Sequence, residues 1–283
     1  MIQANVIADS ISGDDVRLTT LQLQYPRFIH GELMTHRVFS RNASSSRAIP
    51  VARMIRQVED DPAFFVHIGK NQPGMQAREA VDERTAKVFE REWRELAKIS
   101  GDFATRWSKH LGIHKQCVNR VLEPFQWMNT IVTATDWENF FELRCHPDAQ
   151  PEMQALANVI KDAMWRSAPV ELTQDQWHLP YVFAGNDVNE SGYNFELARK
   201  CSVARCARVS YANHDGSEPD IEKDVALFDK LVGSRPLHAS PAEHQATPDR
   251  KLKNGRWAHP ELHGNLTGWI QFRKQLEQQI WKK

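Results

Sequence analysis

The chain has 283 residues, 41% hydrophobic and 25% charged, a composition that suits an ordinary soluble protein able to bury a full core without disulfide or metal staples. Lysine plus arginine total 36, and so do aspartate plus glutamate. That balance argues against a general nucleic-acid coat and leaves room for a local basic pocket that takes a phosphorylated small molecule. Cys117, Cys145, Cys201 and Cys206 form no CxxC pair, which excludes a disulfide scaffold and a structural zinc site and fits reduced thiols. The first residues, MIQANVIADS, show no basic stretch followed by an apolar run, and no segment has the apolar length that crosses a bilayer. A cytoplasmic protein without membrane or nucleic-acid partners is expected.

Residues 17–25 alternate, with Leu21, Leu23 and Tyr25 on one side and Thr20, Gln22 and Gln24 on the other, the pattern of a half-buried strand that Pro26 ends. Residues 28–39 have helical character, and 41–50 read as a polar loop closed by Pro50. Residues 76–110 predict one or two long amphipathic helices, with Val88, Phe89, Trp93, Leu96 and Ala97 at helical spacing. A further helix is expected over Lys115–Leu122, and another along Met153, Leu156, Ala157, Ile160 and Met164. Residues 169–189 look irregular. The run S-E-P-D at 217–220 resembles a capping box ahead of Ile221, Val225, Phe228 and Leu231, with the helix ending near Gly233. A polar loop follows over 238–256, then a final helix over 265–283 carrying Trp269, Phe272, Leu276 and Ile280. The mixture is α+β with more helix than strand, and no composition break marks a domain boundary.

The densest chemical cluster runs from Thr35 to Arg47, where three arginines, one histidine and four serines fall within thirteen residues. Guanidinium forks hold phosphate through paired hydrogen bonds, and serine hydroxyls with loop amides complete an anion nest. His110 and His114 stand four apart in a segment read as helical, but lack the third ligand a metal requires. No metal site is expected, and His238 and His244 carry no HExxH pattern.

Thr35-His36-Arg37, then seven residues, then Ser45, resembles the signature of flavin-dependent thymidylate synthases, with Asn42, Ser45 and Arg47 falling on the family's N-E-x-S-x-R run. Three further stretches resemble that family. These are G-I-H-K-Q-C-V-N-R-V-L-E-P at 112–124, F-F-E-L-R at 140–144 with A-Q-P-E-M at 149–153, and A-R-C-A-R-V-S-Y at 204–211 followed by H-A-S-P-A-E-H at 238–244. The last two segments precede the His-Arg signature in the family and follow it here. The resemblance therefore implies a circularly permuted, single-domain version of the fold over residues 1–283, in which 200–250 matches the family's N-terminal segment. Permutation is tolerable where the original termini lie close together at the surface.

The resemblance implies a mixed helical fold with an antiparallel sheet. It also implies a homotetramer and transfer of a one-carbon unit from methylenetetrahydrofolate to C5 of dUMP, with FAD as cofactor and NADPH as reductant. His36, Arg37, Asn139, Ser210, Ser240 and Glu243 fall on its flavin-side positions. Glu32, Ser45, Arg47, Arg120 and Arg144 fall on its nucleotide side, with Arg37, Ser45 and Arg144 carrying catalysis. Fixed guanidinium groups suit both the phosphate and a uracil ring that gains negative charge. On residue type alone, Arg120 and Arg144 equally suit structural salt bridges.

Four departures stand out. Thr35 replaces the first arginine of the signature, Glu32 replaces a glutamine, Ala43 replaces an acidic residue, and the stretch between Pro124 and Phe140 is about three residues short by alignment with the family's pattern. A carboxylate near a phosphate repels it unless paired. Glu32 and Thr35 thus motivate an alternative on the same scaffold, a pyrimidine deoxynucleotide hydroxymethylase or an enzyme for another pyrimidine nucleotide, and a non-catalytic nucleotide-binding homologue is a separate alternative.

Overall fold

A computed structural model describes residues 1–182, 195–210, 217–233 and 236–281. In chain order the elements are β1 (Gln3–Ser12), β2 (Arg17–Pro26), α1 (His30–Leu33), β3 (Ser40–Ala43), α2 (Val51–Asp60), α3 (Glu83–Lys109), α4 (Lys115–Val118) and β4 (Trp127–Ala134). Then come α5 (Glu138–Arg144), α6 (Pro151–Arg166), β5 (Val170–Leu172), α7 (Phe195–Arg208), α8 (Ile221–Val232), β6 (Ala246–Pro248), β7 (Trp269–Gln271) and α9 (Phe272–Trp281). The fold is α+β. Five strands form one sheet in the order β3-β4-β2-β1-β5, antiparallel except for β5 beside β1, and β6 pairs with β7 in a second small sheet.

The alternation read from residues 17–25 sorts the two faces of the large sheet. Leu21, Leu23 and Tyr25, with Met128, Val132 and Ala134 from β4, meet Phe140 of α5 and Met153, Leu156 and Ile160 of α6 in the main core. The opposite face carries Leu18, Thr20, Ile131 and Thr133, and the C-terminal third packs there through Val209, Ala246, Leu266 and Trp269. Helices α2 and α3 form their own core with the segment after α4, through Met54, Val58, Ala97, Ala104, Val118 and Leu122.

Several expectations are corrected. The helix over 28–39 shrinks to a 3-10 turn at Arg27–Ile29 and the single turn α1, because Thr35 Oγ1 donates to the Glu32 carbonyl at 2.7 Å and Arg41 takes the next carbonyls. The polar stretch 41–50 is not all loop, since Ser40–Ala43 adds an edge strand against β4. The long helix is one element of 27 residues whose buried face is Ala97, Gly101 and Ala104, so Leu96 is exposed. Lys115–Leu122 divides into α4 and a 3-10 helix over Asn119–Phe125 that contains Pro124. Gly112 at φ 64 separates His110 from His114, which cap two different helices. The cap of α8 is Asp220 rather than Ser217, its carboxylate accepting from the amides of Glu222 and Lys223. The final helix starts at Phe272, because Gly268 turns the chain at φ 84, where a Cβ would meet the Trp257 ring at 3.0 Å, and β7 follows it. Part of the irregular stretch 169–189 lies outside the described residues.

A chain of buried polar groups ties the C-terminal third to the sheet. Ser10 Oγ lies 2.9 Å from His178 Nδ1, and His178 Nε2 lies 2.7 Å from Thr20 Oγ1. Thr20 Oγ1 lies 2.6 Å from Thr133 Oγ1, which lies 2.8 Å from His244 Nδ1. Buried polar groups of this kind cost free energy unless every one is satisfied. Burial lowers the pKa of both His178 and His244 from 6.5 to about 3, so both imidazoles are neutral. A histidine held neutral in the folded state contributes stability that is complete above about pH 6.5, its ordinary value, and is lost as pH falls toward the folded value. The urea midpoint is therefore expected to drop steadily between pH 7 and pH 4, and a flat midpoint across that range would contradict the buried chain.

Candidate active site

β3, the edge strand of the large sheet, links two groups of the sequence-derived residues, Glu32, His36 and Arg144 on one side and Ser240 on the other. Alternation along β3 sends Arg41 to the face of α5 and α6 and Asn42 to the face of the C-terminal third. Arg41 reaches back to α1 and donates through Nη1 to the carbonyls of Met34 at 2.8 Å and His36 at 2.9 Å. This fixes the turn that presents His36 and Arg37.

His36 is buried against Phe39 and Phe140, with ring centroids 5.7 and 5.0 Å away. Arg144, the last residue of α5, donates from Nε to His36 Nε2 at 2.9 Å and from Nη1 to Glu32 Oε2 at 2.9 Å, and Nη2 lies 3.4 Å from Thr35 Oγ1. Because His36 Nε2 accepts, its proton sits on Nδ1. Burial, then the nearby charges of Arg144 and Arg41, lower the His36 pKa from 6.5 to about 4. His36 is therefore a neutral acceptor that orients Arg144. The two departures at Glu32 and Thr35 both land on this one guanidinium, which answers the repulsion expected of Glu32.

On the other face, the Asn42 amide nitrogen turns toward the 3-10 helix Ser240–Glu243 and donates to the carbonyls of Ser240 at 3.2 Å and Arg41 at 3.0 Å. The Asn42 side chain also lies 3.3 Å from His244 Nε2. Ser240 itself is exposed, whereas the Glu243 carboxylate is engaged by Arg273. Ser210 follows α7, its amide donating to the Arg205 carbonyl at 3.3 Å, and Val209 beside it packs on Ile131 and Tyr181. Tyr211 of the matched segment lies outside the described residues.

Past β3 the chain continues as a loop that Asn119 anchors, donating to the carbonyls of Ser46 at 2.7 Å and Ile49 at 3.0 Å. Ser46 donates to Glu123 at 2.6 Å, and Glu123 also pairs with Arg120 at 2.8 Å and Arg27 at 3.2 Å. Arg120 thus serves in a surface pair. Ser45 and Arg47 are exposed on this loop, with the Arg47 amide 3.3 Å from Ser45 Oγ, and Asn139 is exposed on α5. Among the described residues, Arg37 and Arg47 have no acidic partner, so their guanidinium groups are available to an anion such as a phosphate or the diphosphate of a dinucleotide. Sequence reasoning placed Arg41 in the Thr35–Arg47 cluster but missed its hold on the carbonyls after α1, and it missed Asn119 as the anchor of the loop. Asn119 directly precedes Arg120 in a matched motif, which was its available signal.

The description "thymidylate synthase complementing protein" belongs to the family model that matches residues 17–170, and the chain is a member of that family. The match takes in α1, β3, the anchored loop and α5, and stops before the segments at 204–211 and 238–244. No curated protein sequence matches the chain. Among solved structures it is similar to a UMP/dUMP methylase, PolB from Streptomyces cacaoi, bound with 5-Br dUMP, at 17% identity over 58% of this chain and 90% of that one, with a TM-score of 0.48. It is also similar to thymidylate synthase X from Helicobacter pylori with FAD and dUMP, at 15% identity over 52% of this chain and 67% of that one, with a TM-score of 0.35.

Replacing Arg144 by methionine removes one of the two charges that face His36 while leaving burial in place. The His36 pKa, followed by NMR titration, is expected to rise above about 4 but to stay below 6.5. An unchanged value would show that Arg144 does not contact the ring.

Proposed function

We propose that this chain transfers a one-carbon unit to C5 of dUMP. Methylenetetrahydrofolate would be the carbon donor, FAD the cofactor and NADPH the reductant. The observation that carries this reading is the set of basic groups within the family match, with Arg37 and Arg47 free of acidic partners among the described residues and Arg144 oriented by His36. Arg47, Ser45 and Arg120 would receive the nucleotide phosphate, while Glu32 and Arg144 stand at the nucleotide's other side. Arg37, Ser45 and Arg144 would steady the ring as negative charge develops on it, a task suited to fixed donors in a partly desolvated setting. His36, Arg37, Asn139, Ser210, Ser240 and Glu243 would form the flavin side.

The exposed Arg37, Asn139 and Ser240 fit that role directly. His36 and Glu243 fit only indirectly, by orienting Arg144 and by holding Arg273. A bound flavin would supply the hydride, and the protein supplies binding and orientation. The C-terminal segments would complete the site in permuted order, and the reach of Asn42 to Ser240 supports their place in it. The Glu32–Arg144 pair favours a second reading on the same scaffold, in which the product is hydroxymethylated or the pyrimidine differs from uracil.

Self-association, with a homotetramer as the proposed state, finds support on α3. Leu96, Ile99 and Phe103 are 52%, 44% and 38% exposed and lie on one helical stripe with Val88.

The purified protein given FAD is expected to show the flavin absorbance bands and to bind dUMP. Arg47→Ala should weaken dUMP binding by about 10- to 100-fold, and Ser45→Ala by less, because a hydroxyl gives one neutral bond and a guanidinium a charge-assisted pair. A colourless protein that fails to take up added FAD would replace this reading with the non-catalytic, nucleotide-binding one. Sedimentation of Phe103→Glu should show a smaller assembly than the parent chain, and an identical assembly would remove α3 from the contact.

A further inference from the structure

We infer that Glu32 is an internal stand-in for ligand, a carboxylate that holds Arg144 in the ligand-free protein and must be displaced before an anionic nucleotide gains that guanidinium. The inference rests on the functional reading above and concerns the selectivity of the same site.

All three nitrogens of the Arg144 guanidinium face acceptors from one short stretch of chain. Nε meets His36, Nη1 meets Glu32 and Nη2 meets Thr35, at 2.9, 2.9 and 3.4 Å. Only the Glu32 contact carries charge, since His36 is neutral and Thr35 is a hydroxyl. The two neutral acceptors set the plane of the fork without spending its charge. Glu32 alone cancels it.

The pair is built so that it can open. The Glu32 side chain is 38% exposed and Arg144 20% exposed. An ion pair this accessible to solvent is worth up to about tenfold in an equilibrium, enough to oppose a ligand and small enough for one to displace it. When Glu32 swings into solvent, Arg144 keeps His36 and Thr35 and stays aimed. A ligand then meets a fork already oriented, at the cost of releasing one carboxylate. A ligand with weak negative charge fails to displace Glu32, so the pair filters for strongly anionic ligands.

Calorimetry with dUMP tests this on the intact chain. Glu32→Gln keeps size and hydrogen bonding but removes the charge, and it should tighten dUMP binding about tenfold. The same change made in an Arg144→Met background should give no gain, because the pair is already broken. Weaker or unchanged binding in Glu32→Gln would overturn the inference and make Glu32 a direct contact to the nucleotide or a bystander. If neither protein binds dUMP, the functional reading falls and the latch is decided separately with pyrophosphate. A shift of the Arg144 Nε–H NMR signal on adding pyrophosphate to Glu32→Gln, larger than in the parent, supports the latch. Equal shifts, or none in either protein, overturn it.

Discussion

The alternation of side chains along four residues of β3 is the constraint on which the site depends. Arg41 and Asn42 are neighbours in sequence and must point to opposite faces of the sheet. Arg41 closes the α1 turn and so places His36 and Arg37, while Asn42 reaches the Ser240 carbonyl in the C-terminal third. Two layers that share no face of the sheet are thereby joined at its edge. A one-residue slip of β3 against β4 would exchange the two faces and dismantle both contacts at once. Edge strands usually invite pairing with other chains. Here the side chains of the edge are committed to the protein's own loops.

The same opposition of faces explains why one layer is apolar and the other is threaded with polar groups. The face toward α5 and α6 is packed by leucine, phenylalanine and methionine, which tolerate no water and need none. The other face meets a layer made of turns and short strands, whose packing leaves hydroxyls and imidazoles between the layers. Burial keeps His178 and His244 neutral, and two partners fix each ring. The buried Arg205–Asp224 pair, also joined by Arg208, does similar work between α7 and α8. Removing one partner of such a pair leaves an uncompensated buried charge. Geometry in this half of the molecule is therefore set by polar satisfaction more than by volume.

How much of this was legible in the sequence differs by kind of signal. Strand β2 and helices α3, α6 and α8 were readable because their apolar residues repeat at a single period. β4 is nearly continuous in burial and sits between turn-poor flanks, so its pattern showed no alternation to read. Residues 28–39 looked helical because nothing in local propensity reveals that a side chain thirteen residues beyond Phe28, Arg41, would take the carbonyls a longer helix needs. The arginine and serine cluster was legible as anion chemistry and as a family signature. The partners of those arginines were not. Arg120 pairs with Glu123 three residues away, which helical spacing could have flagged, whereas Arg144 meets Glu32 across 112 residues. His244, which showed no metal-ligand pattern in the sequence, is a buried link between Thr133 and Asn42.

The departures from the family's pattern gain meaning only once they are seen on one atom group. Glu32 and Thr35, taken separately, read as two independent losses, one of a neutral amide and one of a positive charge. In the fold they surround Arg144 together with His36, and the local charge sums to zero where an arginine at position 35 would have made it positive. An added arginine there would also have repelled Arg144 at close range and been drawn to Glu32 itself. A carboxylate at 32 is thus compatible with a hydroxyl at 35, and each substitution makes the other tolerable. Among the described residues Arg37 and Arg47 have no acidic partner, while Arg144 has its direction fixed and its charge compensated. On the proposed reading, a ligand would meet the exposed arginines through its phosphate first and Arg144 only afterwards.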